Sequence, residues 1–64
     1  MKSERTKQLI ITEALRLFAS NGYDATTMEQ IARAANMKTP SLYNHFPGKQ
    51  AIFESVVDYC KEEC

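Results

Sequence analysis

Two short helical patterns, separated by a three-residue interruption, constrain the fold of this chain more than any other feature. A helix over about residues 27–35 would carry four apolar residues on one face: Met28, Ile31, Ala32 and Ala35. Asn36-Met37-Lys38 breaks this pattern. Thr39-Pro40 then begins another helix over about residues 39–46, because proline loses no hydrogen bond in a first turn. Helices of about two turns are unstable alone, so both must pack against longer elements.

Longer helical patterns flank this pair. The first covers about residues 3–21 and ends at Asn21-Gly22, since glycine adopts the left-handed conformation at little cost; its apolar stripe is Ile10, Ile11, Ala14, Leu17 and Phe18. The second follows Pro47-Gly48 over about residues 49–62, with Ile52, Val56, Tyr59 and Cys60 on one face and Phe53 and Val57 beside them. No segment alternates as a strand does. The sequence predicts an all-α fold, a three-helix helix-turn-helix bundle of the homeodomain type plus a fourth helix.

Side-chain hydroxyls mark the starts of the two short helices. Thr26 and Glu29 have the spacing of a capping box for the first of them. If Thr27 is the cap instead, that box is lost but a hydroxyl still caps the helix. Thr39 is expected to cap the second short helix, with Pro40 as its first helical residue.

Formal charge is distributed unevenly along the chain. The net charge is zero, from eight basic and eight acidic residues. Residues 1–49 carry seven basic and four acidic residues, whereas residues 50–64 carry one basic and four acidic residues. The part that contains the helix-turn-helix pattern is therefore basic, so the neutral total does not argue against a nucleic-acid partner.

Length and apolar patterning indicate one domain over residues 1–64 with no membrane partner. The longest apolar run is Leu9-Ile10-Ile11, too short for a signal peptide or a membrane span, so we expect the cytoplasm. Cys60 and Cys64 lie four residues apart, and a helix gives that pair no geometry for a bond, so reduced thiols are predicted.

Residue types that support catalysis or metal binding are scarce. His45 is the single histidine, and no carboxylate or nucleophile lies near it in the sequence. A zinc site would need two ligands beyond the two cysteines. No phosphate loop or nucleophile motif is present. We therefore expect no enzymatic activity, no cofactor and no metal.

The second short helix has a polar outer face. Leu42 and Phe46, four residues apart, should point inward, which leaves a polar set outward: Thr39, Ser41, Asn44 and His45, with Tyr43 at the edge. In a helix-turn-helix, such a face can contact base edges in the major groove. A merely solvated face would have a similar composition.

The whole pattern resembles the amino-terminal DNA-binding domain of the TetR family, from Lys7 to about Val57. The most specific part is Leu42-Tyr43-x-His45-Phe46-x-x-Lys49, combined with Phe18-x-x-x-Gly22-Tyr23 upstream. The other matching residues are Ile10, Ile11, Ala14, Leu17, Thr26, Thr27, Ile31, Ala32, Ala35 and Asn44.

This resemblance implies specific roles in binding a double-stranded DNA operator as part of a transcriptional repressor. The residues at phosphate-contacting positions are Thr27, Tyr43, His45 and Lys49. Those at base-reading positions are Thr39, Pro40, Ser41 and Asn44, and Lys38 adds a cation that reaches bases or phosphates. Pro40 stands where it could contact a thymine methyl group.

The chain departs from the family pattern in its turns and its length. Asn36 replaces the usual glycine of the turn, and asparagine tolerates the left-handed conformation, so we expect the turn to survive. Lys38 replaces the usual hydroxyl cap, and Gly48 replaces a capping side chain before the last helix at small cost. The family's larger ligand-binding domain is absent, so a homodimer on a palindromic operator is expected only with that domain.

A second class of function fits the same sequence. A small helical protein-interaction module would dock a partner through the acidic last helix and its apolar residues Phe53, Val57 and Cys60. DNA titration at low salt separates the two, because a pure interaction module would show no salt-dependent binding.

Overall fold

Four helices form the fold. The computed structural model describes the backbone of residues 2–63 and the side chains of residues 5–61. The helices are α1 (Lys2–Asn21), α2 (Met28–Ala34), α3 (Thr39–His45) and α4 (Lys49–Glu63). No strand occurs in the described range. The predicted all-α fold is confirmed, and each predicted helix boundary lies within one residue of the observed one.

A single apolar core joins the helices. α1 packs against α2 and α4, and α3 packs against α2. The buried apolar residues come from all four helices and the segments next to them: Ile10, Ala14, Met28, Ile31, Ala32, Ala35, Leu42, Phe46, Ile52 and Val56. The small side chains of Ala32 and Ala35 are among them, which lets α2 approach its neighbours closely. No helix within the described residues is long and apolar enough to cross a membrane.

The start of α2 differs from the sequence prediction. Thr27, and not Thr26, is the N-cap, and its hydroxyl accepts a hydrogen bond from the backbone N–H of Gln30 at 3.1 Å. The Gln30 side chain accepts in return from the N–H of Thr27 at 3.2 Å. The predicted box between Thr26 and Glu29 is therefore wrong. So is the expectation that a cap at Thr27 loses the box, because glutamine at the third helical position closes it as glutamate would.

Thr26 has a different role, at the end of α1. Its side chain is fully buried, and its hydroxyl lies 2.8 Å from the carbonyl oxygen of Gly22 and 3.2 Å from that of Leu17. Gly22 directly follows the last residue of α1, so this hydroxyl gives its carbonyl a donor from the α1–α2 connection. This contact fastens the α1–α2 connection to the end of α1.

The connection between α2 and α3 is a Schellman turn. Asn36 adopts the left-handed conformation that was predicted as tolerable there, with a φ of 58°. Its N–H donates to the carbonyl oxygen of Arg33 at 3.0 Å. The N–H of Met37 donates to the carbonyl oxygen of Ala32 at 2.9 Å, and the Met37 side chain packs against the core. These two bonds satisfy carbonyls at the end of α2 and reverse the chain within four residues.

The start of α3 also corrects a prediction. Lys38 is the N-cap, in extended conformation, and its side chain makes no capping hydrogen bond. Thr39 and Pro40 are therefore the first and second helical residues, not the cap and the first helical residue. The Schellman turn ends at Met37, so Lys38 is left to make the transition into α3. The helix thus begins one residue earlier than predicted, and Thr39 is its first residue although a threonine hydroxyl is better suited to the N-cap.

Three aromatic rings join α1, the loop after it and α4. The ring of Tyr23 lies 5.4 Å from that of Phe18 and 5.2 Å from that of Phe53, and Phe18 and Phe53 lie 5.8 Å apart. Gly22, with a φ of 88°, turns the chain so that Tyr23 folds back on α1, as the sequence predicted. These tilted and edge-on contacts hold the start of α4 against α1.

Candidate nucleic-acid interface

The outward face of α3 is the centre of the candidate interface. Leu42 is fully buried, and Pro40, Tyr43 and Asn44 are exposed. At about 100° per residue, Pro40 and Asn44 lie nearly opposite Leu42 on the helix. The packing of Leu42 against the core therefore fixes which side chains point away from the protein.

Three other predicted site residues lie on the flanks of α3. Thr39, Ser41 and His45 are half-buried. At about 100° per residue, Thr39 and His45 lie about 60° from Leu42 around the helix and Ser41 lies about 100° from it, so these three border the buried side and do not share the outward face predicted for them. Tyr43 is 49% exposed, so about half of its surface is open to solvent.

The Thr27 hydroxyl is oriented by the capping box. Its oxygen accepts the N–H of Gln30, so its own hydrogen remains free to point outward. Thr27 is exposed. An exposed hydroxyl donor at this point suits a phosphate oxygen. Sequence reasoning did not identify the contribution of Gln30, although glutamine three residues after a threonine is the signal of the box.

Lys49, a predicted phosphate contact, already has partners within the protein. Its ammonium donates to the backbone carbonyl of Tyr23 at 2.7 Å and lies 4.2 Å from the centroid of the Tyr23 ring. The residue is half-buried. A lysine ammonium has three hydrogens, so two remain for another acceptor.

Within the described residues, no group of three or more His, Cys, Asp and Glu side chains is arranged to hold a metal ion. Cys60 is a free, exposed thiol. Cys64 lies outside the described residues, so the predicted relation between the two thiols is not addressed by the structure.

Comparison with known proteins decides the family. The model for bacterial regulatory proteins of the tetR family matches residues 10–56, which include the aromatic contacts, the capping box, the Schellman turn and α3. The chain belongs to the TetR family. The matched range also contains all nine predicted site residues of this TetR-family chain.

Curated relatives of this TetR-family chain are negative transcriptional regulators. It is 46% identical over 54 residues to the biofilm operon icaADBC HTH-type negative transcriptional regulator IcaR of Staphylococcus aureus strain Newman. It is 41% identical over 54 residues to the IcaR of Staphylococcus epidermidis strain ATCC 35984. Each alignment covers 84% of this chain and 29% of the relative. The chain thus spans less than a third of the length of these relatives. No solved structure matches it significantly.

Proposed function

We propose that this chain is the operator-reading domain, over residues 1–64, of a TetR-type transcriptional repressor. In this proposal α3 enters the major groove of double-stranded DNA, and α2 crosses the phosphate backbone. Both IcaR relatives are negative transcriptional regulators, which supports repression over activation. We also propose a cytoplasmic location, which suits a DNA-binding regulator of a bacterial family.

One observation carries the proposal. Burial of Leu42 turns Pro40, Tyr43 and Asn44 outward on a helix that the Schellman turn joins to α2. A helix that presents exposed side chains along its outer face fits the width of the major groove, and the Asn44 amide can pair with a base edge there.

The site residues divide by the atoms they offer. Asn44, Ser41 and Thr39 carry amide and hydroxyl groups that can pair with base edges, and Pro40 has an apolar ring for a thymine methyl. Lys38, directly before these residues in the sequence, adds an ammonium group that can reach bases or phosphates. Phosphate contacts are assigned to Thr27, Tyr43, His45 and Lys49.

A dimer on a palindromic operator is proposed for a chain that continues as these relatives do. The relatives continue well beyond the aligned segment, as the 29% coverage shows. Two recognition helices held about one helical turn of DNA apart would read two half-sites. The homodimer contacts are assigned to that further segment.

The interaction-module alternative is weakened by the packing of Phe53. Although its side chain is 41% exposed, its ring contacts those of Phe18 and Tyr23, so part of the surface offered to a partner is used within the fold. Val57 is half-buried. The acidic helix α4 thus has less apolar surface for docking than its sequence indicated.

The test is a titration of the 64-residue chain with labelled duplex DNA at several salt concentrations. We expect binding that weakens linearly on a plot of log affinity against log salt. Selection from randomised duplexes should then enrich a defined half-site. Absence of salt-dependent binding would overturn the proposal and favour the interaction module.

A further inference from the structure

A depression beside the helix-turn-helix turn has no assigned role. It has a volume of about 370 Å³ and is lined by Arg33, Asn36, Met37 and Lys38. The Schellman turn creates it, because the left-handed Asn36 reverses the chain and places the last turn of α2 next to the start of α3. Arg33 in α2 and Lys38, the N-cap of α3, therefore border one depression.

The electrostatics of the depression favour an anion. Arg33 and Lys38 are both exposed, and within the described residues neither forms an ion pair with a carboxylate. Glu29, four residues before Arg33 on α2, makes no such pair with it. The positive charge of both side chains is thus available to a ligand. Arginine in particular offers a planar fork of donors that fits two oxygens of a phosphate.

We infer that Arg33 is a further DNA-contacting residue, which binds a backbone phosphate at the edge of the groove that α3 enters. This inference rests on the proposed function. If α3 lies in the major groove, α2 crosses the backbone, and Arg33 at the end of α2 shares the depression with Lys38 at the start of α3. Lys38 adjoins α3, which contacts the bases in this proposal, whereas Arg33 lies on α2, which contacts the phosphates. Its contact stabilises the complex without reading sequence.

Arg33→Gln tests the inference, with Arg33→Lys and Arg16→Gln as controls. Arg16 is on α1, has a side chain that is 74% exposed, and lies 3.7 Å from Glu13. Its replacement removes the same formal charge away from the depression. Each variant is titrated with a random-sequence duplex from about 50 to 200 mM salt, and its melting temperature is compared with that of the parent chain.

Loss of one phosphate contact should make the log–log salt slope of Arg33→Gln shallower by about 0.9. Arg33→Lys and Arg16→Gln should keep the parent slope, and sequence preference in a selection should be unchanged for Arg33→Gln. A parent-like slope for Arg33→Gln, or an equal change for Arg16→Gln, overturns the inference while the proposed function stands. If the parent chain shows no salt-dependent binding, the proposed function itself fails.

Discussion

The ammonium of Lys49 at the start of α4 lies over the ring of Tyr23, 4.2 Å from its centroid, and donates to the Tyr23 carbonyl at 2.7 Å. The two residues are 26 positions apart. One lysine therefore ties the loop after α1 to the first turn of α4. The same side chain is proposed to contact DNA, so its structural and binding contributions need separate measurements.

Lys49→Met should lower the free energy of unfolding by about 1–2 kcal/mol, because it removes a cation–π contact and a charged hydrogen bond. Urea denaturation measures this change. Lys61→Met is the matched control, since Lys61 is exposed on the same helix. Equal stability of the Lys49 variant and the control would show that the contact with Tyr23 contributes nothing.

Tyr43→Phe and Lys49→Ala should each weaken binding to all duplexes by a common factor, because phosphate contacts position the protein without reading sequence. Titration of several unrelated duplexes checks this. For Lys49→Ala, the titration is made at a temperature well below the melting temperature of the variant, so that its lower stability does not reduce the folded fraction. A change in preference at one base pair would mean that the residue reads a base.

Asn44→Ala and Ser41→Ala should relax preference at one or two base pairs, each by about 1–3 kcal/mol. Asn44 is exposed opposite Leu42, whereas Ser41 is half-buried, so the larger effect is expected for Asn44. Selection from randomised duplexes gives the measurement. If both variants select the same sequences as the parent chain, α3 is not the reading helix.

The two adjacent threonines should separate stability from binding. Thr26→Val should cost about 1 kcal/mol of stability, because it removes the buried hydroxyl that donates to the Gly22 carbonyl. Its DNA affinity, corrected for the folded fraction, should be unchanged. Thr27→Val should cost about 1 kcal/mol through the lost cap and should also weaken DNA binding. Urea denaturation and titration of both variants check this, and the reverse order of effects on binding would contradict the assignment of Thr27.

The 64-residue chain by itself should be a monomer under reducing conditions and should bind DNA near the nonspecific range of roughly 10⁻⁴ to 10⁻⁶ M. One recognition helix covers one half-site, and the gain from a linked second half-site requires a dimer. Oxidation could link two chains through the exposed thiol of Cys60 or through Cys64. Sedimentation with reductant, paired with titration of palindromic and half-site duplexes, tests this. A stable reduced dimer that strongly prefers the palindrome would contradict it.

The sequence by itself determined the helices, their order and most of the core. Apolar residues at helical spacing, together with Gly22 and Pro40, limit where helices can run and end, and these signals act within a few residues of the chain. The same spacing correctly predicted that Leu42 and Phe46 are buried and that Asn44 is exposed, but it also predicted an outward position for Thr39, Ser41 and His45, which the structure leaves half-buried. Local pattern was sufficient because each helix buries a single stripe.

Only the tertiary structure decided the roles of similar residues that stand side by side. Thr26 and Thr27 have side chains equally suited to cap a helix, but Thr26 is buried with its hydroxyl beside the carbonyls of Gly22 and Leu17, and Thr27 caps α2. The ammonium of Lys49 meets Tyr23 only when α4 packs against α1. Such choices depend on which unsatisfied groups the packing brings together, and those groups are far apart along the chain.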